Sequence, residues 1–221
     1  MPGPVSVVIA ALNDEQWIGA AVDSAFAAGA GEVIVSDGGS ADRSRAIAAD
    51  RGARVIASTP MRSRQFNTGA SAVASDAIIF LHADTTLPAG AADAVAAALQ
   101  RYEFGGFHIS FAERAPKLRL AASMINLRTR ITRCPWGDQA QFIRRATFVR
   151  SNGFREIPLM EDYELATRMK KHATLLPLAV TTSARRFLEK GVLRTAMINW
   201  TIIARWRLGA DAETLARFYR S

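Results

Sequence analysis

A chain of 221 residues, 49% of them apolar, can bury most of its unfolded surface in one large domain or two small ones. A single cysteine, Cys134, excludes an internal disulfide and a cysteine-built metal cluster, and no stretch approaches the roughly 18 uninterrupted apolar residues of a spanning helix. The net charge of +8 divides unevenly: residues 1–100 carry six basic and ten acidic side chains (−4), whereas residues 101–221 carry twenty-two and ten (+12). The acidic half suits a divalent cation, and the basic half suits phosphates, nucleic acid or a bilayer face. No recognisable nucleic-acid motif accompanies the arginines, so nucleic acid is not an expected partner. The amino terminus lacks a basic region followed by a long apolar run, and a reducing, cytoplasmic setting is expected.

The first ninety residues alternate strand and helix. Val5 to Ala10 predicts a strand, and Asn13 or Asp14 can cap a helix with Ile18, Val22, Ala25 and Phe26 on one face. Further strands are predicted at Glu32 to Ser36, Arg54 to Ala57 and Ala77 to Leu81, with helices at Asp42 to Arg51 and Gln65 to Ala74. Such alternation implies an α/β protein with a parallel sheet and helices on both faces. After an alanine-rich helix near Ala89 to Gln100 the pattern changes. Phe104 to Phe111 and Gln141 to Arg144 read as strands, and Lys117 to Arg133 reads as a basic amphipathic helix. No linker justifies a boundary, so a single domain over 1–221 is expected, with a ligand-binding half (1–100), a catalytic half (101–190) and a helical extension (191–221).

Two strands stop abruptly at a carboxylate, Val33 to Asp37 and Ile78 to Asp84, and the carboxyl edge of an open α/β sheet is where ligands bind. Gly38 and Gly39 after Asp37 bring backbone N–H groups close to anything above the sheet, such as a base or ribose, or make a tight turn capped by Ser40. Asp84 is a candidate ligand for Mg2+ or Mn2+ beside a diphosphate, or a helix cap. His82 is either a cation or phosphate contact or a histidine satisfied by its surroundings. Arg62 and Arg64 precede a predicted helix start and form a phosphate clamp with it, extending through Asn67 to Gly69. Later, Trp136-Gly137-Asp138-Gln139 and Glu161-Asp162 concentrate polar groups in apolar surroundings. Adjacent residues on a helix diverge by roughly 100°, so Glu161 and Asp162 cannot share one task.

Taken in order, these segments resemble family-2 glycosyltransferases of the GT-A fold. The matching residues are Val5 to Glu15, Ser36-Asp37-Gly38-Gly39-Ser40-Ala41-Asp42, His82-Ala83-Asp84 in place of the family's D-x-D, and Met160-Glu161-Asp162 as its E-D motif. The likeness spans nearly the whole chain, and it includes the small bacterial subgroup with G-D-Q (Gly137 to Gln139) and T-S-A-R-R (Thr182 to Arg186). The resemblance implies a GT-A-like, mostly parallel sheet and a nucleotide-diphosphate sugar donor. Leu12, Asn13, Glu15, Asp37, Gly38, Gly39, Asn67 and Ala83 would meet the donor, Arg62 or Arg64 its base or phosphates, and Arg185 and Arg186 its diphosphate. Asp84, with His82, would hold the cation. Trp136, Gly137, Asp138 and Gln139 would face a sugar, and Asp162, with Glu161 beside it, would deprotonate an unidentified acceptor hydroxyl, giving displacement with inversion. His82 departs from the family's first aspartate.

Leu193 to Leu208 predicts an amphipathic helix with Ile198, Ile202 and Trp206 on one face and Met197 and Trp200 broadening it. It can pack on its own domain, pair two subunits as a homodimer, or lie on an anionic membrane surface, on the inner face of the cell membrane, where a lipid-linked or hydrophobic acceptor would be met. Two other readings use the same scaffold. A nucleotidyltransferase forming nucleotide sugars would need a glycine-rich basic loop after the first strand, and Ala10 to Asp14 offers none. A non-catalytic nucleotide-binding or membrane-associated protein is the other.

Overall fold

The computed structural model describes residues 4–220; Met1 to Gly3 and Ser221, at the ends of the expected single domain, lie outside the described residues. Strands β1 (Val5–Ala11), β2 (Glu32–Asp37), β3 (Arg54–Ala57) and β4 (Ala77–His82) alternate with helices α1 (Ile18–Ala27), α2 (Ser44–Asp50) and α3 (Arg62–Ser71). They are followed by β5 (Thr85–Thr86), α4 (Ala91–Ala98), β6 (Phe104–Phe111), α5 (Pro116–Thr132), a 3-10 turn (Gly137–Gln139), β7 (Phe142–Arg144), α6 (Arg145–Arg150) and α7 (Glu161–Met169). After a second 3-10 turn (Lys170–His172) come β8 (Ala173–Thr182), α8 (Arg185–Lys190), α9 (Val192–Arg207) and α10 (Ala212–Arg220).

One sheet runs in the order β3-β2-β1-β4-β7-β6-β8-β5. The first half pairs parallel throughout, as do β6 and β8, while β7 enters antiparallel between β4 and β6, and β5 lies antiparallel to β8. Side chains alternate faces along each strand. Val5, Val7, Ile9 and Ala11 of β1 therefore join Ile18, Val22 and Ala25 of α1 and Val95 of α4 in one core layer. Val8 points the other way, into a layer built with Phe66 and Ala70 of α3, Phe148 of α6 and Leu165 of α7. A third cluster, Leu159, Met160, Tyr163, Ile202, Ile203 and Leu215, seals α9 and α10 against the segment that opens α7. The predicted carboxyl-terminal helix thus packs on its own domain.

Three local expectations change. The first helix begins at Ile18, because the Asp14 carboxylate accepts the Leu12 N–H at 2.9 Å instead of capping it. The second begins at Ser44, whose N–H and hydroxyl are both held by Asp42. The third begins at Arg62, so the two arginines lie within its first turn and not before it.

Where α3 crosses β1, Gly69 faces Val8 so closely that an added Cβ would lie 2.2 Å from Val8 Cγ1. Only a bare Cα lets this helix sit down on the sheet and carry its amino-terminal Arg62 to the site. Gly69→Ala gains about 1 kcal/mol of helix propensity and loses about 1–3 kcal/mol to overpacking. Net destabilisation in a urea melt is the expected outcome, and a stabilised variant would show that α3 is free to lift.

Candidate functional site

Register fixes the geometry of the carboxyl edge. Ala11 of β1 pairs with Asp37 and Ala10 pairs with His82, so the two motif strands exit on either side of β1, about 10 Å apart at the usual strand spacing. The loops after β1 and β2 are zipped together by side chains. Asn13, in the left-handed region (φ 57°), donates its N–H to Ser40 Oγ at 2.9 Å and accepts the Ala41 N–H at 2.9 Å. The Asp14 and Glu15 N–H groups donate to Ser44 and Asp42 at 2.7 and 3.0 Å, and Glu15 accepts the Arg43 N–H at 3.1 Å. Asp37 is buried, and its carboxylate accepts the N–H groups of Gly39 and Ser40, each at 3.0 Å, together with the Ser40 hydroxyl.

On the other side of β1, α3 and α7 face each other. Arg62, half-buried, donates to Glu161, of which 1% is exposed. Met160 adopts φ 73° immediately before α7, swinging Glu161 inward and leaving Asp162 to point elsewhere. Asp162 accepts the Gly137 N–H at 2.6 Å and the Tyr163 N–H at 2.7 Å, so both its oxygens are held by backbone. A Cβ on Gly137 would fall 2.8 Å from His82 Nε2 and 3.0 Å from Asp162 Oδ2. This glycine therefore lets the imidazole, the carboxylate and the loop after α5 converge. The His82 ring stacks on Phe66 with centroids 6.0 Å apart, and its Nε2 is buried without a hydrogen-bond partner.

A cavity of about 420 Å³ opens at this convergence. Of the residues singled out from sequence, Arg62, His82, Asp84, Trp136, Asp138, Asp162, Arg185 and Arg186 line it. Leu12, Asn13, Glu15, Asp37, Gly38 and Gly39 form the zipped loops beside it. Asp14 connects the two regions through its field: Asp84, Asp42 and Arg185 all act on its carboxyl. Ala83 is buried between His82 and Asp84. Arg64 lies on the outer side of α3, paired with exposed Glu156 at 3.0 Å. Asn67 clamps both backbone groups of Phe154, at 2.8 and 2.9 Å. Gln139 is fully buried and committed to the scaffold: its carbonyl accepts from Thr129, Arg128 and the Trp136 N–H, and its amide donates to the Phe107 carbonyl.

Sequence reading missed the walls. Phe111, Ile125, Phe187, Ile203 and Tyr219 reach the cavity from five separate elements. Their contributions carry no local signature. Arg128 sits 3.4 Å from the Trp136 ring centroid, and Arg186 sits 3.4 Å from that of Tyr219, with Arg186 Nη2 buried and unpartnered.

The sequence model of the family described as glycosyl transferase family 2 matches residues 6–157. No curated protein sequence matches the chain. Among solved structures, TarS 1-349 from S. aureus in complex with UDP-GlcNAc superposes with a TM-score of 0.65 at 15% identity, over 81% of this chain and 58% of that one. Glucosyl-3-phosphoglycerate synthase from Mycobacterium tuberculosis, in complex with Mn2+, UDP and phosphoglyceric acid, gives 0.60 at 18% identity, over 86% and 74%. The chain therefore spans less than two thirds of the TarS fragment, and these likenesses establish the fold.

Burial and competing charges set the protonation of the cavity walls. Burial first, then the Arg62 guanidinium, push His82 down to about 4 against the pull of Asp84 and Asp162, leaving a neutral imidazole near pH 7. Arg128 falls to about 10 through burial, although Asp138 and Asp162 oppose the shift. Burial, with the Asp162 and Asp84 carboxylates, raises Asp138 to about 6 despite Arg128 and Arg62. A carboxyl raised above its unfolded value is most favourable to folding at low pH and costs stability as pH rises through about 6. Asp138→Asn is accordingly expected to stabilise the protein by about 2 kcal/mol at pH 7.5 and to leave it near wild type at pH 4. Urea melts at the two values test this, and an equal effect at both would place the cause outside ionisation.

Proposed function

The chain belongs to glycosyl transferase family 2, and from that membership we propose that it moves a sugar from a nucleoside-diphosphate donor to an acceptor hydroxyl with inversion at the anomeric carbon. The observation that carries this reading is the meeting of Asp84, Asp162 and three arginines around one cavity at the carboxyl edge of the sheet. Asp162 is the base. It takes the proton of the acceptor hydroxyl while that oxygen attacks the anomeric carbon, and the bond to the diphosphate oxygen breaks on the opposite face, its electron pair leaving with the nucleoside diphosphate. Two backbone donors hold the Asp162 carboxylate in place, which supports a fixed line of attack. Arg62, Arg185 and Arg186 supply positive charge where the leaving diphosphate becomes more anionic. Nucleotide binding is assigned to the zipped loops from Leu12 to Glu15 and from Asp37 to Gly39. Complexes of the TarS and synthase neighbours with UDP favour a uridine donor.

Among the described residues no group of three or more His, Cys, Asp and Glu converges into a self-sufficient metal cage. Asp84, with the neutral, unpartnered Nε2 of His82 behind it, nevertheless offers the oxygen and imidazole donors that Mn2+ or Mg2+ accepts when a diphosphate completes its shell. When bound, such a cation neutralises charge on the leaving diphosphate. Asp84 is the residue proposed to hold it.

Asp162→Asn is expected to lower kcat by about 10² to 10⁴ with UDP affinity unchanged, and full turnover in this variant would place the base elsewhere. Thermal shifts of wild type with UDP, GDP and UDP-sugars, with and without Mn2+, identify the donor, because ligand at about 100 times its Kd adds about 2.7 kcal/mol of stability. Asp84→Asn should abolish the Mn2+-dependent part of that shift. Donor binding with neither hydrolysis nor transfer would favour a non-catalytic nucleotide-binding protein.

A further inference from the structure

Helices α5 and α9 pack against each other and both contribute to the cavity, through Ile125 and through Thr195, Asn199 and Ile203. Their outer faces carry an unusual load. Leu120, Met124, Leu127 and Ile131 recur on α5 at i, i+4, i+7 and i+11, with 58–73% of each residue exposed. Leu193, Met197, Trp200 and Leu208 form a matching row on α9, with 60–87% exposed. An i, i+4, i+7, i+11 row lies on one helical face, so each helix presents a continuous apolar ridge. Large side chains left exposed singly need no explanation, but two ridges on adjacent helices mark a surface that is covered by something.

The charge around the ridges identifies what covers them. From Arg114 to Gly137 the chain has no acidic residue, and exposed Arg114, Lys117, Arg119, Arg130 and Arg133 flank the α5 ridge. From Lys190 to Ala210 acidic residues are again missing, and Arg194 and Arg205 flank the α9 ridge. No helix is long and apolar enough to cross a membrane. Apolar ridges bordered by cations alone fit an interface with hydrocarbon at its centre and anionic headgroups at its edge. A second copy of the same face would instead set two all-basic rims against each other, where like charges are costly. We propose that the α5–α9 face docks on an anionic lipid bilayer. The cavity whose wall these helices form is thereby held next to the membrane. This inference does not depend on the assignment of Asp162 or Asp84.

Sedimentation with phosphatidylcholine vesicles containing about one third phosphatidylglycerol tests the proposal on the full chain. Wild type is expected to bind these vesicles, to ignore pure phosphatidylcholine, and to weaken as salt rises. Met124→Glu combined with Trp200→Glu should reduce partitioning roughly tenfold or more, while the melting profile and the UDP-induced thermal shift stay as in wild type. Arg119→Gln with Arg194→Gln should weaken binding to anionic vesicles with both ridges intact. Wild type that remains in the supernatant with anionic vesicles overturns the proposal. So does sedimentation equilibrium showing a dimer that the glutamate pair splits, without vesicle binding, since the face would then be a subunit interface.

Discussion

Glu161 is a carboxylate almost wholly withdrawn from water, and such a group is tolerable only beside a cation. Its partner, Arg62, comes from the first turn of a helix ninety-nine residues earlier in the chain. Most of the site geometry follows from that requirement. Pairing with Arg62 draws the start of α7 towards α3, and the roughly 100° between successive helical positions then turns Asp162 away from the pair and into the cavity. The Gly137 N–H captures Asp162, bringing the loop after α5 against His82 at the end of β4. Arg62 reaches the pair only because α3 rests directly on Val8 at Gly69. The same arginine therefore ties the two halves of opposite net charge together and supplies one wall of the cavity.

The first half of the fold was legible because its strands are continuous apolar runs buried on both faces, and because each stops at a residue that cannot be buried cheaply. The second half was not. Strand β8 escaped notice because Pro177 interrupts it and its residues are mostly half-buried, without a clean alternation. The structure accommodates the proline at a bulge: the register with β6 jumps from Phe107 opposite Leu176 to His108 opposite Ala179. Bulges are among the few places in a sheet where proline is tolerated. Helix starts were misjudged for a related reason. Asp14 and Asp42 are good caps in isolation, but both are engaged in joining neighbouring loops, a use that becomes visible only when β1 and β2 are side by side.

Motif chemistry located the carboxylates and arginines of the cavity with some accuracy, yet proximity in sequence did not separate those that face it from those that build it. Arg62 and Arg64 differ by two residues and lie on different sides of one helix. Asp138 and Gln139 are adjacent, and the first lines the cavity while the second is saturated inside the scaffold. A polar side chain with all its hydrogen bonds made is unavailable to a ligand, and that accounting needs coordinates.

Arg62 and Tyr219 border the same cavity, one near the first quarter of the chain and one near residue 220. A ribosome releases the amino-terminal strands first, and these can begin to pair while the rest is still being made. The stack of Tyr219 on Arg186 cannot form until the last helix has emerged. Synthesis thus imposes an order on competence: the sheet edge with its aspartates precedes, by more than half the chain, the walls that would retain anything bound there.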